Sequence, residues 1–334
     1  MATIKDIAQM AGVSIGTVSK VINGDETVSE TRIERVRDAI QKLGYVPNFT
    51  ARALKTNVTN SVGLILPDIT NPYYAEFARG VENMLMEHSY SLFLCNKDRS
   101  TNKELNYLYA LSAKNIDGII MIRPALESIN ILKNQLKKPC ILFDCSSEAC
   151  ENSTIINVND EAGAYLMMQH LYNLGHRKIV YCVGLTDACS DQARKNGYFR
   201  FMQDHGLFDQ ELIWDYQSYS TEIAYKNTLE FISNRIIPDA IFAANDLLAI
   251  GIMKALRECG ISVPESISVA GYDDIMNASY IYPALTTIER PKYSLGYHCA
   301  EALLRIIQGD NINNTELITP KLIVRQSTAA RCYH

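Results

Sequence analysis

The chain lacks the marks of several protein classes. No apolar run approaches the length of a membrane span, and the N-terminus carries no apolar segment of the kind a secretion signal needs. Nine cysteines is an odd number, and without a secretion signal they are expected as reduced thiols in a cytosolic chain. Cys140, Cys145 and Cys150 are spaced by five, which matches no zinc pattern, and the six histidines are scattered. No glycine-rich phosphate loop follows the first expected strand, and no nucleophile elbow is present. Neither a metal, nor a cofactor, nor an enzymatic activity is therefore expected. What the chain has is bulk: 334 residues, 47% of them hydrophobic, enough for more than one domain.

The first fifty-odd residues read as a device for holding a helix in DNA. Thr3 caps a helix over 4–10, with Asp6 placed as its capping-box partner. Gly12 supplies a sharp turn, and Ser14 caps a second helix over 15–22. Val18 and Val21 face Ile4, Ile7 and Val13 at helical spacing, so two short helices share an apolar seam. That is a helix-turn-helix, whose second helix enters a major groove. Ser29 caps a third helix over 30–43, and Gly44 ends it. Asn48 caps a further run over 49–55 that is too short to be stable alone, and it is expected to order only against DNA or a second copy. Residues 1–56 hold eight Lys/Arg against six Asp/Glu, a net +2, whereas the rest holds 24 against 31, a net −7. Phosphate attraction is thus confined to the head, and its modest charge predicts that two copies bind together.

After a polar linker at 56–61 the pattern becomes alternating α/β. Strands are expected at 62–66, 91–95, 118–122, 140–143, 178–183, 212–214, 240–243, 268–271 and 321–324. Helices are expected at 73–87, 102–112, 128–136, 161–174, 192–204, 222–233, 247–259 and 294–307. Continuous Val/Ile runs between helices indicate doubly wound parallel sheets, in two series. Pro67-Asp68, Asp144, Asn245-Asp246 and Asp273-Asp274 fall at or just after strand ends, where open α/β sheets bind ligands.

Ala11-Gly12-Val13-Ser14, Thr17-Val18-Ser19, Val21-Ile22-Asn23, Gly44-Tyr45-Val46-Pro47-Asn48 and Ala51-Arg52-Ala53-Leu54 resemble the lac repressor/galactose repressor family. So do Pro67-Asp68-Ile69-Thr70-Asn71-Pro72-Tyr73-Tyr74, Leu174-Gly175-His176-Arg177, Asn245-Asp246, Gly271-Tyr272-Asp273-Asp274 and Val324-Arg325-Gln326-Ser327-Thr328. The motifs keep the family's order over almost the whole chain. The resemblance implies a helix-turn-helix head at 1–47, a hinge helix and linker at 48–60, and a two-lobed body at 61–334. That body would have the periplasmic-binding-protein-like (type I) fold, its chain crossing between lobes three times.

By the same resemblance, Ile15, Gly16 and Lys20 read bases. Lys20 stands where many relatives have arginine and lacks its planar fork; Ile15 is limited to apolar contact. Ser14, Thr17, Ser19 and Tyr45 either bond phosphates or merely cap and coat the head. Asn48, Ala51, Leu54 and Lys55 belong to the hinge on DNA. Leu54 either wedges into the minor groove or packs on its twin. For an effector the matched positions are Asp144, Arg194, Asn245 and Asp273, a donor and acceptor set suited to sugar hydroxyls. Tyr73, Tyr74 and Tyr219 either stack on a ring or pack in the core. Three departures concern the ligand's identity: Cys145 after Asp144, Gln217-Ser218-Tyr219 in place of a Gly-Asp-aromatic pattern, and Asn159-Asp160 where Asp-Asn is common. The expectation is a cytoplasmic homodimeric repressor on a near-palindromic double-stranded operator, controlled by a small carbohydrate. One alternative is control by a phosphorylated carrier protein; another is a sugar-binding protein with no DNA role.

Overall fold

The computed structural model describes the chain except residues 1, 23–24, 26, 46–57, 147–152, 187, 235–236, 313–314 and 332–334. The expected hinge helix, with Asn48, Ala51, Leu54 and Lys55, lies outside the described residues. The chain divides into two units, Met1–Thr59 and Asn60–His334.

The first unit contains α1 (Ile4–Ala11), α2 (Ile15–Ile22) and α3 (Glu30–Leu43). The capping box forms in full: the Asp6 amide donates to the Thr3 hydroxyl, and the Thr3 amide donates to Asp6 at 2.8 Å. Gly12 turns the chain with φ 63°, a conformation that a side chain would strain. Ile7, Ala8, Ala11, Val18, Val36 and Ala39 close the core, with Val13 and Val21 against it. One expectation is corrected: Ser29 holds the N-cap position of α3, but its hydroxyl makes no capping bond. There the backbone carbonyl of Ser29 takes the first amides, from Arg32 and Ile33, and Glu30 supplies negative charge to the first turn.

The second unit is built on two six-stranded sheets. The first has the order β11-β5-β4-β3-β1-β2 and is parallel throughout. Its strands are β1 (Ser61–Leu66), β2 (Ser91–Asn96), β3 (Gly118–Ile122), β4 (Cys140–Phe143), β5 (Thr154–Val158) and β11 (Thr315–Ile318). The second has the order β12-β10-β9-β8-β6-β7, with only β12 antiparallel. It comprises β6 (Ile179–Val183), β7 (Ile213–Asp215), β8 (Ala240–Ala243), β9 (Ser268–Asp273), β10 (Thr286–Glu289) and β12 (Lys321–Ile323). β1, β3, β6 and β8 are buried along their length, as sheets covered on both faces require.

Helices α4 (Pro72–Glu87), α5 (Thr101–Ala113), α6 (Leu126–Ile131) and α12 (Lys292–Ile307) belong to the first lobe. The helix expected at 128–136 is instead the short α6 followed by one π turn, Leu132–Leu136, stopped by Lys137 at φ 48°. Helices α7 (Asp160–Asn173), α8 (Cys189–Asp204), α9 (Thr221–Asn234), α10 (Asp246–Glu258) and α11 (Met276–Tyr280) belong to the second. Two glycines let α4 and α12 touch backbone to backbone. A Cβ on Gly80 would lie 2.1 Å from the Tyr293 carbonyl oxygen, and one on Gly296 would lie 2.0 Å from that of Phe77. The chain passes between lobes three times: from β5 into α7, from β10 through Arg290 into α12, and from β11 into β12.

Candidate functional site

The strand ends that face the other lobe carry an unusual backbone. Asp98 and Arg99 after β2, Arg123 after β3, Asp144 after β4, and Asp273 and Asp274 at the end of β9 all have positive φ, from 48° to 103°. Such conformations cost non-glycine residues energy and persist where surrounding contacts over-determine them. At Arg123, Asp144 and Asp273 those contacts are ionic and largely buried.

Arg123 reaches from the first lobe into the second. Its Nε donates to Asp144 at 2.7 Å, and its Nη2 donates to the Ser190 hydroxyl at 2.8 Å. Nη1 and Nη2 together grip Asp191 at 3.2 and 3.0 Å. Asp144 in turn accepts from the Ser190 amide at 2.8 Å and from its hydroxyl at 2.7 Å. A second cluster surrounds Arg194, which donates to Asp160 at 3.2 Å, to the Ala244 carbonyl at 2.6 Å and to Asp273 at 3.1 Å. Its guanidinium lies 4.0 Å from the ring centre of Tyr272. Arg290, at the second crossing, lies 3.2 Å from Asp160 and 3.7 Å from Asp273.

The environment splits the carboxylates. Burial alone would raise Asp144, but the guanidinium groups of Arg123 and Arg290 and the two Ser190 hydrogen bonds outweigh it and hold Asp144 down to about 2. For Asp191 and Asp273 burial wins over the arginines beside them, and both are raised. Asp246 is pushed well above the carboxylate range, first by burial and then by the charge of Asp273. It accepts from the Thr287 hydroxyl at 2.6 Å and the Ile275 amide at 2.8 Å, a structural role in the second lobe.

Six of the seven predicted effector residues line one closed-down cavity of about 10 Å³, room for about one water: Tyr73, Tyr74, Arg194, Tyr219, Asn245 and Asp273. Asn71, Arg99, Arg123 and Arg290 complete its wall. Asp144 does not line it; with Asn157, Asp160, Ser190 and Arg290 it faces a neighbouring cavity of about 210 Å³. Asn245 also caps α10, its side-chain oxygen accepting from Leu248 at 2.9 Å. Tyr219 donates its hydroxyl to Asp191, and its ring centre lies 5.3 Å from the Arg99 guanidinium. Two buried polar groups on this wall stay unsatisfied among the described residues: the Tyr73 hydroxyl, and the Arg290 guanidinium at Nε and Nη2. Nη2 is near Asp160 but at an angle that makes no hydrogen bond.

In the head, Ser14, Ile15, Gly16 and Lys20 are exposed, Ile15 to 45%. Ser14 is spent on capping: its hydroxyl accepts from the Thr17 amide at 3.1 Å and lies 2.9 Å from the Thr17 hydroxyl. Ser19 is half-buried on α2, and Tyr45 packs against the head core. Lys20 lies 3.6 Å from Asp25 and donates to the Thr27 hydroxyl at 3.3 Å, both weak enough to exchange for nucleic acid.

Comparison with known proteins decides the family. Residues 3–48 match bacterial regulatory proteins of the lacI family, and residues 168–328 match the periplasmic binding protein-like domain. The HTH-type transcriptional repressor PurR of Aliivibrio fischeri is 35% identical over 337 residues, covering 99% of each chain. The chain belongs to the lacI family. It is a DNA-binding transcriptional repressor, not an enzyme. A lac repressor dimer bound to operator and the anti-inducer ONPF superposes with a TM-score of 0.89 at 26% identity, over 98% of this chain and 99% of that one. The transcriptional regulator CelR in complex with cellobiose gives 0.74 at 27% identity, over 98% and 100%.

Sequence reading of this lacI-family repressor missed Arg123, Asp191 and Arg290, and cited Asp160 only as a departure. Arg123 directly follows a strand that was expected, so the strand-end rule that found Asp144 applies to it equally. Arg290 follows β10, which was not expected. Asp191 sits three residues before Arg194 on α8, a spacing that puts both on one helix face.

Proposed function

We propose that the operator affinity of this repressor is set by a small polyhydroxylated ligand, a sugar or sugar derivative, held between the two lobes. The observation that carries this reading is a pair of buried donors on the cavity wall with no hydrogen-bond partner among the described residues, the Tyr73 hydroxyl and Nε of the ion-paired Arg290. A buried polar group without a partner is costly, so a wall that keeps two is built to receive oxygen atoms. The alternation of arginines with aspartates around them suits hydroxyls, which both donate and accept. That CelR is complexed with cellobiose supports a sugar.

The working form is a homodimer on a near-palindromic operator, with head 1–47, hinge 48–60 and body 61–334. Its support is the weak net charge of the head and the exposed Met276, Tyr280 and Tyr282 in the region after Asp273. Ligand in the cleft changes the pose of the lobes, and so the ordering of the paired hinges on DNA.

Thermal unfolding of the full-length protein against sugars, sugar phosphates and nucleobases tests the ligand. A ligand at a hundred times its Kd adds about 2.7 kcal/mol. A rise with a sugar, abolished by Tyr73→Phe together with Arg290→Met, is the expected result. A rise confined to nucleobases would replace the sugar, and silence throughout would move control to a protein co-regulator.

A further inference from the structure

Arg123 makes every one of its polar contacts with the protein itself, and they span the cleft. Asp144 belongs to the first lobe; Ser190 and Asp191 begin α8 of the second. The side chain is 11% exposed, and the guanidinium is held from two sides on one lobe and one on the other, with two bonds to a single carboxylate. Bidentate arginine–carboxylate pairs are among the strong and geometrically selective ion pairs, and burial removes the screening that weakens exposed ones.

The backbone of Arg123 is fixed as firmly as its head group. Lys97 and Glu104, 5% and 1% exposed, form a buried pair beneath it. Lys97 donates to the Arg123 carbonyl, and Glu104 accepts from the Ala125 amide at 2.8 Å. Both flanks of the φ 51° turn are thereby tied to β2 and α5. A buried lysine–glutamate pair is not an economical source of stability, since its desolvation nearly cancels its attraction. It does hold one loop in one place, and that loop aims Arg123.

We propose that Arg123 is a built-in latch that closes the two lobes by itself, so that closure does not wait for a ligand to bridge them. The latch sits in the cleft assigned above to a ligand, and in that sense rests on the same site. Lys97 and Glu104 act through Arg123 as positioning residues. A ligand in this cleft acts on lobes already joined, either sharing the bridge or displacing it from Asp191.

The Ser190 amide reads the latch directly. It lies in the first turn of α8, where amides have no acceptor within the helix, and its partner is Asp144 of the other lobe at 2.8 Å. Its hydrogen exchange is followed on full-length protein freed of small molecules, with the amides of β3 and β8 as internal standards for the two cores. Protection in the parent protein, and an acceleration of about tenfold or more in Arg123→Gln with the standards unchanged, is the expected result. Asp191→Asn, which keeps the shape but removes the bidentate charge, should accelerate the same amide less. Exchange at the unprotected rate in the parent would overturn the latch, and so would an unchanged rate in both variants. If Arg123→Gln also loosens the core standards, Asp191→Asn decides alone: no acceleration there rejects the proposal. Because no sugar is added, failure here leaves the ligand reading untouched, and a silent ligand panel leaves the latch untouched.

Discussion

The second helix of the head and the cleft of the body handle charge in opposite ways. On α2 the candidate reading groups are outward and barely engaged: Ile15 is exposed, Gly16 offers no side chain, and Lys20 makes loose contacts with Asp25 and Thr27 among the described residues. In the cleft Arg123 and Arg194 are engaged with carboxylates of this same chain. The difference follows from the partner each surface meets. DNA brings its own charge and sheds condensed counterions as basic side chains replace them, so a reader must keep its donors available. A small ligand arrives with few groups, so a cleft must hold its own charges in place beforehand or bear the cost of burying them unpaired.

Substitutions can sharpen this contrast. Arg194→Ala should have the largest effect on stability, about 3 kcal/mol by urea unfolding, because it strips Asp160 and Asp273 of their hydrogen-bonded cation and leaves both to Arg290. A loss below 1 kcal/mol would mean that the arginine is as unengaged as Lys20. Asp144 comes next. Its pKa is depressed on folding, so its contribution is present above the unfolded value near 3.8 and is lost as pH falls toward about 2. The stability difference between the parent and Asp144→Asn should therefore be about 2 kcal/mol at pH 5 and shrink as the solution is acidified toward pH 2.

Lys20→Ala should change stability by no more than about 0.5 kcal/mol. It should nonetheless relax preference at one symmetric base position of the operator; equal weakening of all sequences would make Lys20 a phosphate contact. Leu54→Ala should likewise weaken operator binding while leaving the unfolding midpoint in place, and unchanged affinity would remove the proposed minor-groove wedge. The smallest effect is expected at His298, which bonds Glu316 at 2.7 Å and lies 3.5 Å from Glu301. Burial lowers its pKa, but the two glutamates more than reverse this and the net shift is upward. Its contribution is complete below the unfolded value near 6.5 and disappears as pH rises through the higher folded value. His298→Gln should abolish that part of the melting profile.

Much of this was legible in the residues because local and global preferences agreed. The capping box at Thr3, the turn at Gly12 and the apolar seam through Ile7 and Val18 leave little choice about the head. In the body, apolar runs such as Gly118–Ile122 and Ala240–Ala243 stand out because both faces are covered. The strands that escaped notice were β5, β10 and β11. All three end at crossings between lobes, and β10 (Thr-Thr-Ile-Glu) and β11 (Thr-Glu-Leu-Ile) are short and half polar. An expectation of one helix after each strand of the same sheet has no place for them. The cleft divides similarly. Asn245 and Asp273 are polar residues at the ends of clear strands, whereas Arg123 and Arg290 read as surface arginines, since the carboxylates that permit their burial lie far off in sequence.

The three crossings bear on how the molecule is made. Synthesis delivers β1 to β5 early, but their lobe cannot close its core until α12 brings Leu295, Cys299, Ala300, Leu303 and Leu304. β11, its edge strand, arrives later still. Between these instalments the ribosome produces most of the second lobe, lacking β12 and the segment after it, whose Ser327 bonds Val269 of β9. The lobe begun first is thus finished after most of the other, and its half-built sheet must be kept from stray partners in the interval. A nascent chain halted just after Arg290 should carry most of the second lobe beside a first lobe still waiting for the helix that seats on Gly80.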